Sequence, residues 1–320
     1  LDLAPEPGRQ PDAFNALKIG RLRKLEALGL ADQLGPAQWV IADDAEATLR
    51  ALGERGDIIK RIHRALTECG IERGAAGYVL AAEATGTPVI GRLVERGIDD
   101  ELKGSAYAVI DGVDGRTHHV RLPDLDAAGD GGPGAIVELR RFEDARGNRR
   151  LALAVRSDLD LDAQVSASGA TWLDRQAIAR EPAALSDGGF GAEVRDALER
   201  RADHLAGEGM AERQGRRIVF ARNLIETLRR RELEALGEKL ALETGGSFRR
   251  SVSGDFVAGA YSRRLALASG RFAMIDDGIG FQLVPWTPLL EPKLGSHVSG
   301  VARTDGGVDW SFGRRRGLGL

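Results

Sequence analysis

The stretch Ala197–Arg231, ALERRADHLAGEGMAERQGRRIVFARNLIETLRRR, has a counterpart near the start of the chain. Leu205-Ala-Gly-Glu-Gly-Met-Ala211 lies over Leu25-Glu-Ala-Leu-Gly-Leu-Ala31. Ile218-Val-Phe-Ala221 lies over Trp39-Val-Ile-Ala42, and Ile225-Glu-Thr-Leu-Arg229 over Glu46-Ala-Thr-Leu-Arg50. One single-residue shift separates the two registers. In the earlier copy Ile19, Leu22, Leu25 and Leu28 recur at helical spacing, and Gly29 follows as a C-terminal cap. A turn at Gly35-Pro36, a short strand Gln38–Ile41 and an Asp able to cap a second helix come next. Both copies therefore read as a helix–turn–helix-like unit with a β wing.

The downstream parts echo each other as well. Lys103–Asp111 lies over Ser269–Asp276 with one gap, and His118–Leu122 falls near Phe281–Pro285. Short alternating runs broken by Gly and Asp predict small antiparallel strands. Phe272–Trp286, FAMIDDGIGFQLVPW, is a predicted β-hairpin with acid and glycine at its bend. The expected fold class is α+β: a tandem duplication of a winged-helix-like helical unit followed by a small antiparallel β-barrel-like module. The expected boundaries are a tail at 1–15, the first helical unit at 16–85, the first β module at 86–165 and a connecting segment at 166–190. The second helical unit is expected at 191–246, and the second β module with a basic tail at 247–320.

Composition narrows the class. The 320 residues are 42% hydrophobic and 29% charged, ordinary values for a globular protein. No apolar run of about 18 residues occurs, so no helical membrane span is expected. Cys69 is the single cysteine, which excludes an intrachain disulfide and a Cys-rich zinc site and fits a reducing cytoplasm. The N-terminus has no secretory pattern and no initiator Met, so the chain reads as a piece of a longer protein. The net charge is −3, yet 45 basic residues can be sorted onto one face.

Catalytic signatures are scarce. No phosphate loop, dinucleotide fingerprint or nucleophile elbow is present. Adjacent His118 and His119 point to opposite faces of a strand and cannot both hold one ion. Asp43-Asp44, Asp99-Asp100 and Asp276-Asp277 fall at element boundaries, where Asp caps turns. No catalytic residue, metal or cofactor is expected. The better signal is for nucleic acid. Arg21, Arg23 and Lys24 mark the first unit. Arg213, Arg216 and Arg217 mark the second wing, and Arg222, Asn223, Arg229, Arg230 and Arg231 its helix. Trp310 and Phe312 beside Arg314, Arg315 and Arg316 suit base stacking with phosphate contact.

Several segments resemble the C-terminal region of plasmid relaxase–mobilisation nucleases, a domain of unknown function in proteobacterial conjugative relaxases. They are GRLRKLEALGLAD (20–32), ERGDIIKRIHRAL (54–66), GRLVERGIDDELKGSAYAVIDGVDGRTHHVRL (91–122), SGRFAMIDDGIGFQLVPWTP (269–288), and HVSGVAR (297–303) with GVDWSFGRRRGLGL (307–320). The resemblance implies conjugative DNA processing, with a tyrosine transesterase domain upstream that nicks DNA. It also implies an accessory role for this region at transfer-origin DNA. The chain lacks the family's His-hydrophobic-His triplet, and Tyr78, Tyr107 and Tyr261 sit in strand or turn contexts. The alternative is a scaffold that docks relaxosome partners or the type IV secretion coupling protein. An independent hydrolase built on Asp276-Asp277 is the third reading.

Overall fold

The computed structural model describes residues 13–80, 88–143, 147–215 and 217–312, arranged as two compact units divided between Arg64 and Ala65. The expected tail at 1–15 lies largely outside the described residues.

The first unit opens with α1 (Ala13–Ala27), followed by a hairpin of β1 (Ala31–Gly35) and β2 (Gln38–Ile41) and by α2 (Ala45–Glu68), whose last turn passes the division. Gly29 takes φ 72° after α1, and the amides of Gly29 and Leu30 bond back to Glu26 and Leu25. That left-handed turn is cheap only for glycine and satisfies the helix's last carbonyls. Leu22 and Leu25 pack one face of α1 against Leu30, Ala31, Trp39 and Ala45.

The second unit begins with a six-stranded sheet. Its strands are β3 (Tyr78–Val79), β4 (Val89–Asp100), β5 (Ser105–Gly112), β6 (Thr117–Leu122), β7 (Ile136–Glu143) and β8 (Arg149–Ser157). Two short helices follow, α3 (Leu161–Ser166) and α4 (Trp172–Ile178), then α5 (Gly189–Gly207), a hairpin of β9 (Ala211–Gln214) and β10 (Arg217–Phe220), and α6 (Leu224–Thr244). A second six-stranded sheet closes the chain, from β11 (Ser247–Phe248), β12 (Phe256–Leu267), β13 (Gly270–Asp276) and β14 (Gly280–Pro285) to β15 (His297–Ala302) and β16 (Val308–Trp310).

The duplication is visible in the topology. The spatial orders are β3-β6-β5-β4-β7-β8 and β11-β14-β13-β12-β15-β16, one permutation used twice. In both sheets the first strand runs parallel to the fourth and the other pairs are antiparallel. Gly91 of β4 and Gly259 of β12 play one role. A Cβ at either would overlap the backbone carbonyl of Asp111 or of Asp276 on the neighbouring strand. The helical units match too. Gly209, with φ 69°, repeats Gly29, and the bonds Met210 N to Leu205 O and Ala221 N to Met210 O repeat Leu30 N to Leu25 O and Ala42 N to Leu30 O. The single-residue shift is housed in β1, where a bulge between Gln33 and Gly35 gives the first hairpin its extra residue.

One expectation is corrected: the β modules are open sheets, not barrels. Each ends in a two-residue strand on one side and in β8 or β16 on the other, and no pairing among the described residues joins those edges. Closure would need tilted strands whose first and last members meet. The two-residue strands β3 and β11 occupy an edge by pairing parallel to β6 and β14, so neither brings its sheet round to the opposite edge. Phe272–Trp286 forms the predicted hairpin, β13 with β14.

The second unit is held by buried ion pairs as well as apolar clusters. Arg201 of α5 uses all five of its N–H donors. Two go to Asp174 of α4, at 2.8 and 2.9 Å, and three to the carbonyls of Val165, Ala167 and Gly169. Thr171 and Asp174 close a capping box at the start of α4, which orients the carboxylate. The two sheet regions are tied by Arg271, which grips Asp158 with two bonds of 2.6 and 2.7 Å and Asp130 with one of 2.6 Å. Arg264 adds a 2.7 Å bond to Asp130 and lies over the Trp286 ring.

Candidate nucleic-acid interface

The geometry most suited to a ligand lies where α6 faces the second sheet. The helix starts after Asn223, a non-glycine residue at φ 56°, ψ 32°. One face of α6 then presents Glu226, Arg229, Arg230, Leu233 and Glu234 at helical spacing. A turn further on, Gly237 lets the helix approach the sheet, since a Cβ there would overlap the Phe248 ring. Phe248 in turn packs on Phe281, with ring centroids 5.6 Å apart. The result is a groove of about 270 Å³ with an apolar floor that includes Phe272, Leu283 and Pro285. Its walls carry Arg229, Arg230, Arg250 and Arg303 and the hydroxyl residues Ser251, Ser253 and Thr304.

The arginines of this groove differ in how firmly they are held. Arg303 is committed to Asp305 at 2.6 Å and Asp309 at 3.3 Å. The Asp305 hydrogen bond and charge raise its pKa above the usual guanidinium value, and Asp305 is lowered in return. Arg229 approaches Glu226 only to 3.6 Å, and Arg250 approaches Glu234 and Glu226 to 3.6 and 3.9 Å. These separations exceed hydrogen-bond length. Arg230 has no ion-pair partner among the described residues. Three guanidiniums in one groove thus donate no hydrogen bond among the described residues. A guanidinium offers a planar fork that matches phosphate oxygens, and exposed surface pairs at such distances add little.

The remaining candidates are scattered. Arg213 in β9 bonds Asp203 at 2.6 and 2.8 Å. Arg217, Arg222 and Arg231 are exposed without an ion pair among the described residues. Arg21, Arg23 and Lys24 are exposed on α1 of the first unit. Arg216 and Arg314, Arg315 and Arg316 lie outside the described residues. Trp310 and Phe312 stack on each other, centroids 6.4 Å apart, and pack against the core of the second sheet. Lys293 lies 5.4 Å from the Phe312 centroid. Arg250, Arg303 and the hydroxyls were missed by sequence reasoning. Only the Arg249-Arg250 pair offered a signal, because the groove is assembled from segments far apart in the chain.

Asp276, Asp277, Asp111 and the adjacent histidines make contacts within the fold. Asp277 accepts the amides of Ile279 and Gly280 through Oδ1 and pairs with Arg249. Those backbone bonds, helped by Arg249, hold its carboxyl below the usual range. Asp276 caps the same turn through Gly278. Its counterpart Asp111 is fully buried and bound by Arg73 at 2.8 and 3.0 Å and by Arg92 at 2.8 Å, with Glu193 joining both arginines. His118 bonds Asp114 at 3.0 Å, and His119 stacks on Tyr107. Among the described residues no cluster of three His, Cys, Asp or Glu side chains is placed to hold a metal ion, and no helix is long and apolar enough to cross a membrane.

An α+β protein with a repeated helix–hairpin–helix and open sheet, carrying a basic groove on its second copy, is the class these features define. The chain belongs to the family described as "Protein of unknown function (DUF3363)", whose model matches residues 18–147 and 139–319. The first match takes in the first copy up to β7, and the second spans the whole second copy. No curated protein and no solved structure matches the chain.

Proposed function

We propose that the second helix–hairpin–helix unit and the groove beside α6 bind the phosphodiester backbone of DNA, with α6 and the β9–β10 hairpin serving as a winged-helix-like contact surface. The observation that carries this is the trio Arg229, Arg230 and Arg250, which line one groove and donate no hydrogen bond among the described residues. A phosphate group would satisfy donors that the fold leaves open, and its binding would release counterions. Exposed Arg217, Arg222 and Arg231 on the same helix–hairpin–helix would extend the footprint. Joined to the resemblance, the reading is an accessory, non-catalytic region of a conjugative relaxase. It would hold transfer-origin DNA, with the type IV secretion coupling protein as a further partner.

The test is fluorescence anisotropy of labelled duplex and single-stranded DNA over a salt series. The triple variant R229Q/R230Q/R250Q is expected to weaken binding to all sequences alike. It should also flatten the plot of log affinity against log salt by about 0.9 for each duplex phosphate that the variant no longer neutralises. Absence of any binding to either form at low salt would sink the proposal.

A further inference from the structure

The walls of the groove beside α6 restrict what can enter it. Arg229 and Arg230 belong to the face of α6 that forms one wall, and the second sheet backs that face. The turn between β15 and β16 lies against Arg229: a Cβ on Gly306 would come within 2.7 Å of one of its guanidinium nitrogens. The Arg229 side chain is 29% exposed. A bare helix fits the major groove of duplex DNA, but a helix face backed by a sheet does not. A duplex also keeps its bases stacked inside and offers a protein only phosphates, sugars and base edges. Reaching between the helix and the sheet takes a narrower ligand.

The floor adds a second requirement. Phe248 and Pro285 are half-buried there, beside the buried Phe272 and Leu283. Phosphates bound on the walls alone would leave this apolar surface in water. Ser251, Ser253 and Thr304 line the same groove, and their hydroxyls make no hydrogen bond among the described residues. An unstacked nucleotide meets these conditions together. Its flat base suits the apolar floor, its base edges suit the hydroxyls, and the phosphates on either side suit the arginines. The arginine set is particular to the second copy. Arg50, the counterpart of Arg229, bonds Glu46 at 2.8 Å, and Ala51 stands where the second copy has Arg230.

We infer that the groove holds one unstacked nucleotide of a single DNA strand. Its base lies on the Phe248–Pro285 floor and its flanking phosphates lie on Arg229, Arg230 and Arg250. The inference rests on the reading that this groove binds the DNA backbone, and it narrows that reading to the single-stranded form.

The test is fluorescence anisotropy of the full chain with three labelled probes. They are an oligothymidylate, the same strand with its central bases removed to leave abasic sites, and its duplex with oligoadenylate. The intact strand is expected to bind most tightly. Removing bases keeps every phosphate, so the salt slope should hold while affinity falls about 10- to 100-fold. Thr304 is exposed on its turn, so T304E should leave the thermal midpoint in place. It sets a carboxylate in the groove and should weaken strand binding on the order of 10-fold. A strand carrying iodouracil should crosslink on irradiation to Phe248 or a neighbour on the groove floor, a readout that needs no variant. Equal affinity for intact and abasic strands, or for strand and duplex, would overturn this inference and leave the backbone reading standing. Binding indifferent to T304E, or crosslinks confined to the β9–β10 hairpin, would overturn it too. No binding of any probe would overturn both readings.

Discussion

Arg201 and Asp174 form the most completely satisfied charged pair described in the second unit. Asp174 is inaccessible to solvent, and its carboxylate also accepts from Thr171. A buried pair adds little over a well-packed apolar one, yet breaking it by removing one side strands the other charge. D174A should therefore destabilise by about 3–5 kcal/mol in urea titrations, and a D174L/R201M double variant should regain part of that stability. Asp130 gives a second residue-scale prediction. Burial pushes its carboxyl up, but the hydrogen bonds and charges of Arg271 and Arg264 more than reverse this, so its pKa lies below the ordinary value. A carboxyl with a depressed folded pKa contributes stability that is complete above its unfolded pKa and is lost as pH falls through the folded one. Thermal midpoints followed from about pH 7 to about pH 3 should show this loss only on the acid side. D130N should lie lower at neutral pH and vary less across the range.

The elements that matter are α6 and its partner strand β11. Gly237 is the point of closest approach, and its neighbour is a core ring, not the tip of a flexible chain. G237A should therefore cost about 1–3 kcal/mol despite its gain in helix propensity, and pairing it with F248L should relieve part of the strain in the same unfolding assay. At this scale the sequence was informative where signals were local. Leu22, Leu25 and Gly29 announce α1 and its end, and the Leu205/Leu25 match announces the duplication. The Asp276-Asp277 bend sits inside a run of alternating apolar residues and is legible as a hairpin. The open sheets were not legible, because alternation marks strands without saying whether the first and last will meet. The first strand of each small hairpin was also hidden, since Ala31–Gly35 and Ala211–Gln214 are largely polar and short. Arg250 and Arg303 escaped notice because nothing near them in sequence marks the side of the groove they share with Arg229.

At the scale of the whole second unit, apolar clusters pack the helices on each sheet, and a few polar contacts tie the two sheet regions. Arg271 is the main tie, sharing its guanidinium between Asp158 and Asp130. Hydrogen bonds to charged groups contribute about 1.5–3 kcal/mol each, so losing this tie is not a surface effect. R271A is expected to split a single calorimetric transition into two, one for each sheet region, because the coupling that makes unfolding all-or-none is weakened. A single, uniformly lowered transition would place the coupling instead in the α3–α4–α5 cluster.

Two sheets with one strand order can trade strands while the chain folds. The edge strands β3 and β11 are equivalent, and each pairs parallel with a strand further along the chain, Tyr78 with Thr117 and Ser247 with Gly280. Tandem copies are prone to this kind of misassembly. The first sheet is guarded by charge, since Asp111 is bound by Arg73, which lies just ahead of β3. The second is guarded by shape, since Phe248 sits beneath Gly237 and against Phe281. Unlike contacts at like positions distinguish each edge strand's own sheet from the other.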